Sequence, residues 1–146
     1  MNKSKKAATT VPSTAAEILA MPADDYMNAA QLDFFRTLLR AQQRELLENA
    51  AATGAHLRED SDLASDPNDR ATQEEEHALE LRVRDRERKL LSKIASALTR
   101  IADGDYGWCE ETGEPIGLPR LLARPTATLC LEAQERRERM QKLQRD

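Results

Sequence analysis

Histidine and cysteine each occur only twice in these 146 residues, and aromatic side chains supply 3% of them. A chain so short of large rings cannot fill one thick, round core. With 33% charged residues and a mean hydropathy of -0.70, it has instead the composition of long solvated helices, rich in Ala, Leu, Glu, Arg and Gln. The length leaves room for one domain of ordinary size. No run of eighteen apolar residues occurs, so no segment is expected to span a bilayer. The start, MNKSKKAATTVPSTAAEILAMP, begins basic, but Thr, Pro, Ser and Glu then break what would be the apolar region of a signal peptide. A cytoplasmic location is expected, and in that reducing compartment two cysteines are not a disulfide framework by default. No nucleophile-base-acid set, Gly-rich phosphate loop or HExxH is present, so the protein is not expected to be an enzyme. The net charge of -4 argues against a partner held by counterion release along nucleic acid, and favours a protein or a small ligand.

What is present reads as helices separated by capping and breaking signals. Residues 1–25 are expected to be a mobile tail carrying one short helix, with Thr14 and Glu17 as a capping box and Pro22 as its stop. Asn28 with Gln31 forms a second capping box, and no proline follows until Pro67, so a long helix is expected from residue 29 to the high fifties. Its heptad frame carries Leu32, Leu39, Leu46 and Thr53 beside Phe35, Gln42, Asn49 and His56, apolar at the start and polar at the end. A second pattern runs from Ala71 to Ala102 with Leu79, Val83, Leu90, Ile94, Ala97, Leu98 and Ile101 as its apolar positions. Packed antiparallel, the two apolar ends meet and the two polar ends form a wet tip. The expected fold is therefore mainly α. A long antiparallel coiled-coil hairpin over 26–103, its tip at about 60–71, stands on a small globular base. Residues 104–130 form a lobe like a degenerate zinc finger, and 131–146 a C-terminal helix favoured by the pairs Glu132–Arg136, Glu135–Arg139 and Glu138–Lys142.

Three groups of residues invite a chemical reading. Cys109 and Cys130 look like halves of a CxxC…CxxC ribbon, with Thr112 and Ala133 where the second cysteines would stand. Zinc takes four S, N or O ligands, and this segment has no histidine, so no metal is expected there. Either the thiols are small packing residues, or they lie close enough to form a redox-sensitive disulfide. The acidic stretch DSDLASDPNDRA sets Asp60, Asp62, Asp66 and Asp69 near the tip, but lacks the central Gly and terminal Glu of an EF-hand. Such clusters usually cap turns, although here the carboxylates are presented at the end of an arm. Finally, Arg82, Arg86, Lys89 and Lys93 repeat at spacings of three and four. They read either as a solvated face with Glu80–Arg84 and Asp85–Lys89 pairs, or as a stripe for a phosphate ligand or an acidic protein surface.

The tip DPNDRA, the helix QEEEHALELRVRDRERKLLSKI, the segment DGDYGWCEETGEPIGLPRLLARPTATLC and the earlier YMNAAQLDFFR together resemble the DksA/TraR family of bacterial RNA polymerase-binding transcription factors, over residues 26 to 140. The resemblance implies a factor that enters the secondary channel of RNA polymerase and places the hairpin tip near the catalytic centre. It implies destabilised open promoter complexes together with the alarmone ppGpp, in the stringent response, without sequence-specific DNA binding. Carried over by position, the tip residues are Asp66, Asp69 and Ala71, and the ppGpp-side and polymerase-facing residues are Arg86, Leu90, Lys93 and Arg124. The position after Ala133, basic in some members, is Gln134. The family's four zinc cysteines fall on Cys109, Thr112, Cys130 and Ala133, so the chain resembles the cysteine-poor branch whose lobe is expected to fold without zinc. A monomer is expected, with RNA polymerase and ppGpp as partners and no membrane. Two other readings stay open: a secondary-channel factor that affects transcript cleavage through tip carboxylates and Mg²⁺, and a redox-sensing adaptor acting through Cys109 and Cys130.

Overall fold

The computed structural model describes residues 14–60 and 67–145, with side chains omitted for 53–60. Five α-helices are described: α1 (Ala15–Leu19), α2 (Ala29–Asp60), α3 (Pro67–Asp103), α4 (Leu118–Ala123) and α5 (Leu131–Arg145), with a 3₁₀ turn at Ala23–Asp25. Among the described residues the extended pairing is a single bridge between Trp108 and Pro115. The fold is mainly α, as expected from the composition. The described residues fall into two compact units, one of 14–39 with 97–145 and the other Arg40–Ser96.

The helix starts are those the capping chemistry dictates. At α1 the Thr14 hydroxyl accepts the Glu17 N–H at 3.2 Å while the Glu17 carboxylate accepts the Thr14 N–H at 3.2 Å. At α2 the Asn28 side chain accepts the Gln31 N–H at 2.8 Å. The return arm of this second box goes one residue further back: the Gln31 side chain accepts the Met27 N–H at 2.6 Å, and Met27 takes a positive φ of 57°. Gln31 is fully buried, so its amide must be satisfied, and its NH₂ lies 3.6 Å from the Met21 sulfur. Pro67 opens α3, where its missing N–H costs nothing.

The unit of 14–39 and 97–145 holds most of the buried side chains. Ile18, Phe35, Leu39, Ala97, Ile101, Tyr106, Ile116, Leu121 and Leu129 are all buried. The Phe35 ring lies 5.5 Å from that of Tyr106, whose hydroxyl donates to the Pro125 carbonyl at 2.7 Å. Burial, with a lesser contribution from Tyr26, pushes the ionisation of Tyr106 far up. Glu111 draws α5 onto the lobe, meeting Arg137 at 2.7 Å and Arg136 at 3.5 Å. None of the pairs expected along α5 is formed among the described residues: Arg136 turns to Glu111, which removes the Glu132 pair, and Glu138 accepts the Gln134 amide at 2.8 Å. A carboxylate across the lobe competes well with one on the same exposed helix face, where a pair adds only about 0.2–0.5 kcal/mol.

In the unit Arg40–Ser96, α2 and α3 form an antiparallel coiled-coil hairpin, and Ala50 shares a shallow cleft with Leu81, Arg84, Leu91 and their neighbours. Along α2 the covered residues are Leu32, Phe35 and Leu39 in the first unit and Gln42 and Leu46 in the second, as the heptad frame requires, and then Ala50 in place of Asn49. On α3 the seam differs from expectation. The covered line runs Gln73, His77, Glu80, Glu87, Leu91, Ile94, Leu98, Ile101, spaced by threes, fours and one seven, whereas Leu79, Val83 and Leu90 are exposed. Near its end α3 is covered over a wide face that includes Ala97, but a helix with one neighbour covers only a narrow seam. That seam falls on the polar line, so the covered frame and the apolar frame, which coincide at Ile94, Leu98 and Ile101, part company further out.

Candidate functional site

The lobe that follows α3 is built around backbone turned back on itself. Gly107 has a φ of 92°, and the hypothetical side chain of any other residue there would strike the Met27 thioether at 2.6 Å. The Tyr26 hydroxyl donates to the Gly107 carbonyl at 2.7 Å and accepts the Gly117 N–H at 2.9 Å. Burial raises the ionisation of Tyr26, with the N–H groups of Gly117 and Ile116 opposing. Within this frame Cys109 N–H bonds to the Glu114 carbonyl at 2.8 Å, Gly113 N–H to the Cys109 carbonyl at 3.0 Å, and Glu110 N–H to the Thr128 carbonyl at 2.9 Å, which knits the Cys109 turn to the Cys130 strand of chain.

All four ribbon positions therefore converge on one region. Cys109 is buried, Cys130 half-buried, and both are free thiols; Ala133 is fully buried, and the Thr112 hydroxyl lies 3.9 Å from the Cys130 sulfur. Burial works to raise the ionisation of Cys109. The Thr112 hydroxyl and the backbone N–H groups of Cys130, Thr112 and Glu111 outweigh it and hold the thiol down at about 6. The role of Thr112, whose hydroxyl stands beside both sulfurs, was not foreseen from the sequence; a hydroxyl three residues after a cysteine in a ribbon frame was the available signal. The helix α4 was also missed, although Gly117 followed by Pro119 marks such a start.

The tip and stripe residues are placed as follows. Asp66 lies outside the described residues. Asp69 sits in the first turn of α3 and Ala71 just beyond it, both exposed. Arg86, Leu90 and Lys93 are exposed on α3 within the unit Arg40–Ser96, and Arg124 is exposed at the end of α4 in the other unit. Asp85 engages Arg88 and, at 3.2 Å, Lys89, which together hold its carboxyl below the usual range, Lys89 contributing most. The expected Asp85–Lys89 pair is thus formed. Leu81, Arg82, Asp85, Arg86 and Lys89 line a shallow, open depression.

Comparison with known proteins now decides the family. A family model described as the N-terminal domain of the DnaK suppressor protein DksA matches residues 31–101, and one described as a prokaryotic dksA/traR C4-type zinc finger matches residues 104–139. The chain is 53% identical over 127 residues, covering 86% of this chain and 89% of its relative, to a protein of Caulobacter vibrioides named RNA polymerase-binding transcription factor DksA. It is 49% identical over 111 residues to the protein of that name from Escherichia coli, covering 76% of this chain and 74% of the relative. Its structure matches that of transcription factor DksA2 from Pseudomonas aeruginosa with a TM-score of 0.80 and 53% identity, covering 88% of this chain and 99% of that one. The chain belongs to the DksA family.

Within the DksA family frame, a C4-type finger calls for four thiolates. The residues here do not fit that ion: two sulfurs converge with a threonine and a fully buried alanine, and no group of three or more His, Cys, Asp or Glu able to hold a metal occurs among the described residues. The lobe is held by the Tyr26 bracket, the turn hydrogen bonds and the Glu111 ion pairs described above.

Proposed function

We propose that this chain is a transcription regulator that binds RNA polymerase through the secondary channel and destabilises open promoter complexes together with ppGpp. The observation that carries the reading is the 53% identity, across 86% of the chain, to a relative named as an RNA polymerase-binding transcription factor. Its chemistry follows from the ends of the hairpin. Asp69 is exposed in the first turn of α3, so its carboxylate is available to groups near the polymerase catalytic centre. Asp66 and Ala71 complete the proposed tip. Arg86, Leu90, Lys93 and Arg124 are the proposed polymerase-facing and ppGpp-side positions, all of them exposed. No bond need be made or broken by this protein. A coupling of about 1.4 kcal/mol between factor binding and the promoter-complex equilibrium shifts that equilibrium tenfold.

Run-off transcription from an rRNA-type promoter, with and without ppGpp, tests the reading. The wild-type chain is expected to inhibit, and more strongly with ppGpp, while Asp69→Asn binds polymerase without inhibiting. If both proteins bind and neither changes transcription, the regulator reading is wrong.

A further inference from the structure

The two sulfurs of the lobe are brought to one place without forming a bond. The backbone N–H groups of Glu111, Thr112 and Cys130, together with the Thr112 hydroxyl, all approach the Cys109 sulfur, so the Cys130 segment is drawn up to it by its own main chain. The Cys130 sulfur lies 3.9 Å from the same hydroxyl, and both cysteines are free thiols. Cys109 is 3% exposed and Ala133, the fourth ribbon position, is fully buried, while Cys130 is half-buried, so solvent reaches the pair from its side. N–H groups aimed at a sulfur favour its charged form, which is the form that binds metal ions.

The other ribbon positions supply no further ligand. Among the described residues no third His, Cys, Asp or Glu joins the two cysteines in a group able to hold a metal ion. Glu111 is engaged by Arg136 and Arg137, Thr112 offers a neutral hydroxyl that already accepts the Glu114 N–H at 3.2 Å, and Ala133 offers a methyl group. An ion that asks for four or more donors is left short here. Cu(I) is not: it is soft, it favours thiolate, and its filled d shell imposes no four-cornered geometry, so two opposed sulfurs satisfy it. Charge agrees with this. Two thiolates around one monovalent cation keep a single net negative charge, and the N–H groups converging on Cys109 are oriented to meet it.

We infer that Cys109 and Cys130 form a two-coordinate site for Cu(I), held between their two sulfurs at positions where a C4-type finger places four. On binding, two S–H bonds break, two Cu–S bonds form, two protons leave to solvent, and no atom changes oxidation state. Thr112 and Ala133 then act by exclusion: they remove the donors that zinc needs and keep the pair that Cu(I) needs. The site lies in the lobe and does not depend on the polymerase reading.

The reduced, full-length chain supplies the test, titrated without oxygen with Cu(I) delivered from a chromogenic Cu(I) chelator. Uptake of one equivalent per chain is expected, with a rise in the thermal midpoint because the ion binds only the folded lobe. X-ray absorption of the loaded protein should show two sulfur neighbours and no third ligand. Cys109→Ser and Cys130→Ser should each weaken Cu(I) binding at least hundredfold, with helix content by circular dichroism matching the wild type. Cys109 is buried, so if its variant fails to fold, Cys130→Ser at the half-buried position decides the matter. Zn(II) offered to the wild type against a zinc indicator should not be taken up. No uptake of Cu(I) by the wild type, uptake unchanged in Cys130→Ser, three or more ligand atoms around the ion, or competitive binding of Zn(II) overturns the site.

Discussion

Tyr26 stands edge-on to Trp108, with ring centroids 5.1 Å apart and planes at 85°, and the same tyrosine closes the lobe by bridging Gly107 and Gly117 through its hydroxyl. The segment before α2 is thereby tied to the turn after α3. Tyr26→Phe keeps the ring contact and deletes both hydrogen bonds, leaving a carbonyl and an N–H in a part-buried place. The expected cost is about 1–3 kcal/mol in urea unfolding. Trp108 emission should stay unchanged in Tyr26→Phe and shift in Tyr26→Ala. An unaltered urea midpoint for Tyr26→Phe would show that the bracket contributes nothing.

Two glycines of similar backbone conformation should differ sharply in tolerance. Gly113 has a φ of 75° with open space around it, so Gly113→Ala should cost only the left-handed penalty, about 1–2 kcal/mol. Gly107, with a φ of 92°, adds a collision with the Met27 sulfur at 2.6 Å and its Cγ at 2.7 Å. The Met27 backbone is held at a positive φ with its N–H on Gln31, so relief of the collision falls to rotation of its side chain. Gly107→Ala is therefore expected to lose about 1–3 kcal/mol more than Gly113→Ala by the same measurement. Equal losses would mean that Met27 moves aside freely.

These two neighbourhoods show where sequence reasoning reached and where it stopped. Caps act within four residues, so Thr14 and Asn28 placed the starts of α1 and α2, and heptad spacing placed Leu32 to Leu46 on the covered side of α2. The α3 seam was misread because Leu79, Val83 and Leu90 obey the same spacing as His77, Glu80, Glu87 and Leu91, one face over. Which face is covered depends on the partner helix, and spacing alone carries no such information. The Tyr26 bracket spans 81 and 91 residues of sequence separation, and Thr112 meets Cys130 across 18. Contacts of that kind leave no local pattern. The roles proposed for the tip and stripe residues come from the family motifs alone; spacing left a cap cluster at the tip and, on α3, either a solvated face or a basic stripe.

Cys109 should make stability depend on pH in a defined direction. Its thiol is held at about 6 in the folded lobe, below the value near 8.5 of a thiol in an unfolded chain. Between those values the unfolded chain binds the extra proton. The contribution is fully present above the unfolded value and is lost as pH falls through 6. From pH 7.5 to pH 6 the wild type should lose about 1–2 kcal/mol that Cys109→Ala does not lose, read as the difference in urea unfolding free energies. Parallel pH profiles for the two proteins would exclude a thiolate at this position.

A C4-type finger takes up an ion that this lobe is expected to do without. With Thr112 and Ala133 in the other two ribbon positions, the sulfurs of Cys109 and Cys130 make half a tetrahedral set, and the turn is already closed by the Cys109–Glu114 and Glu110–Thr128 backbone bonds. A chelator should therefore leave the thermal midpoint of the wild type unchanged. Thr112→Cys with Ala133→Cys supplies the missing thiolates where the backbone already converges, and should bind one equivalent of zinc, read by a colorimetric release assay. Because such binding stabilises only the folded lobe, the substituted protein should become sensitive to chelator. Ala133 is fully buried, so some of the gain is offset by crowding, and Thr112→Cys alone measures the effect of losing the hydroxyl without that crowding. A wild-type midpoint that drops on chelation would mean that two sulfurs and other donors hold an ion after all.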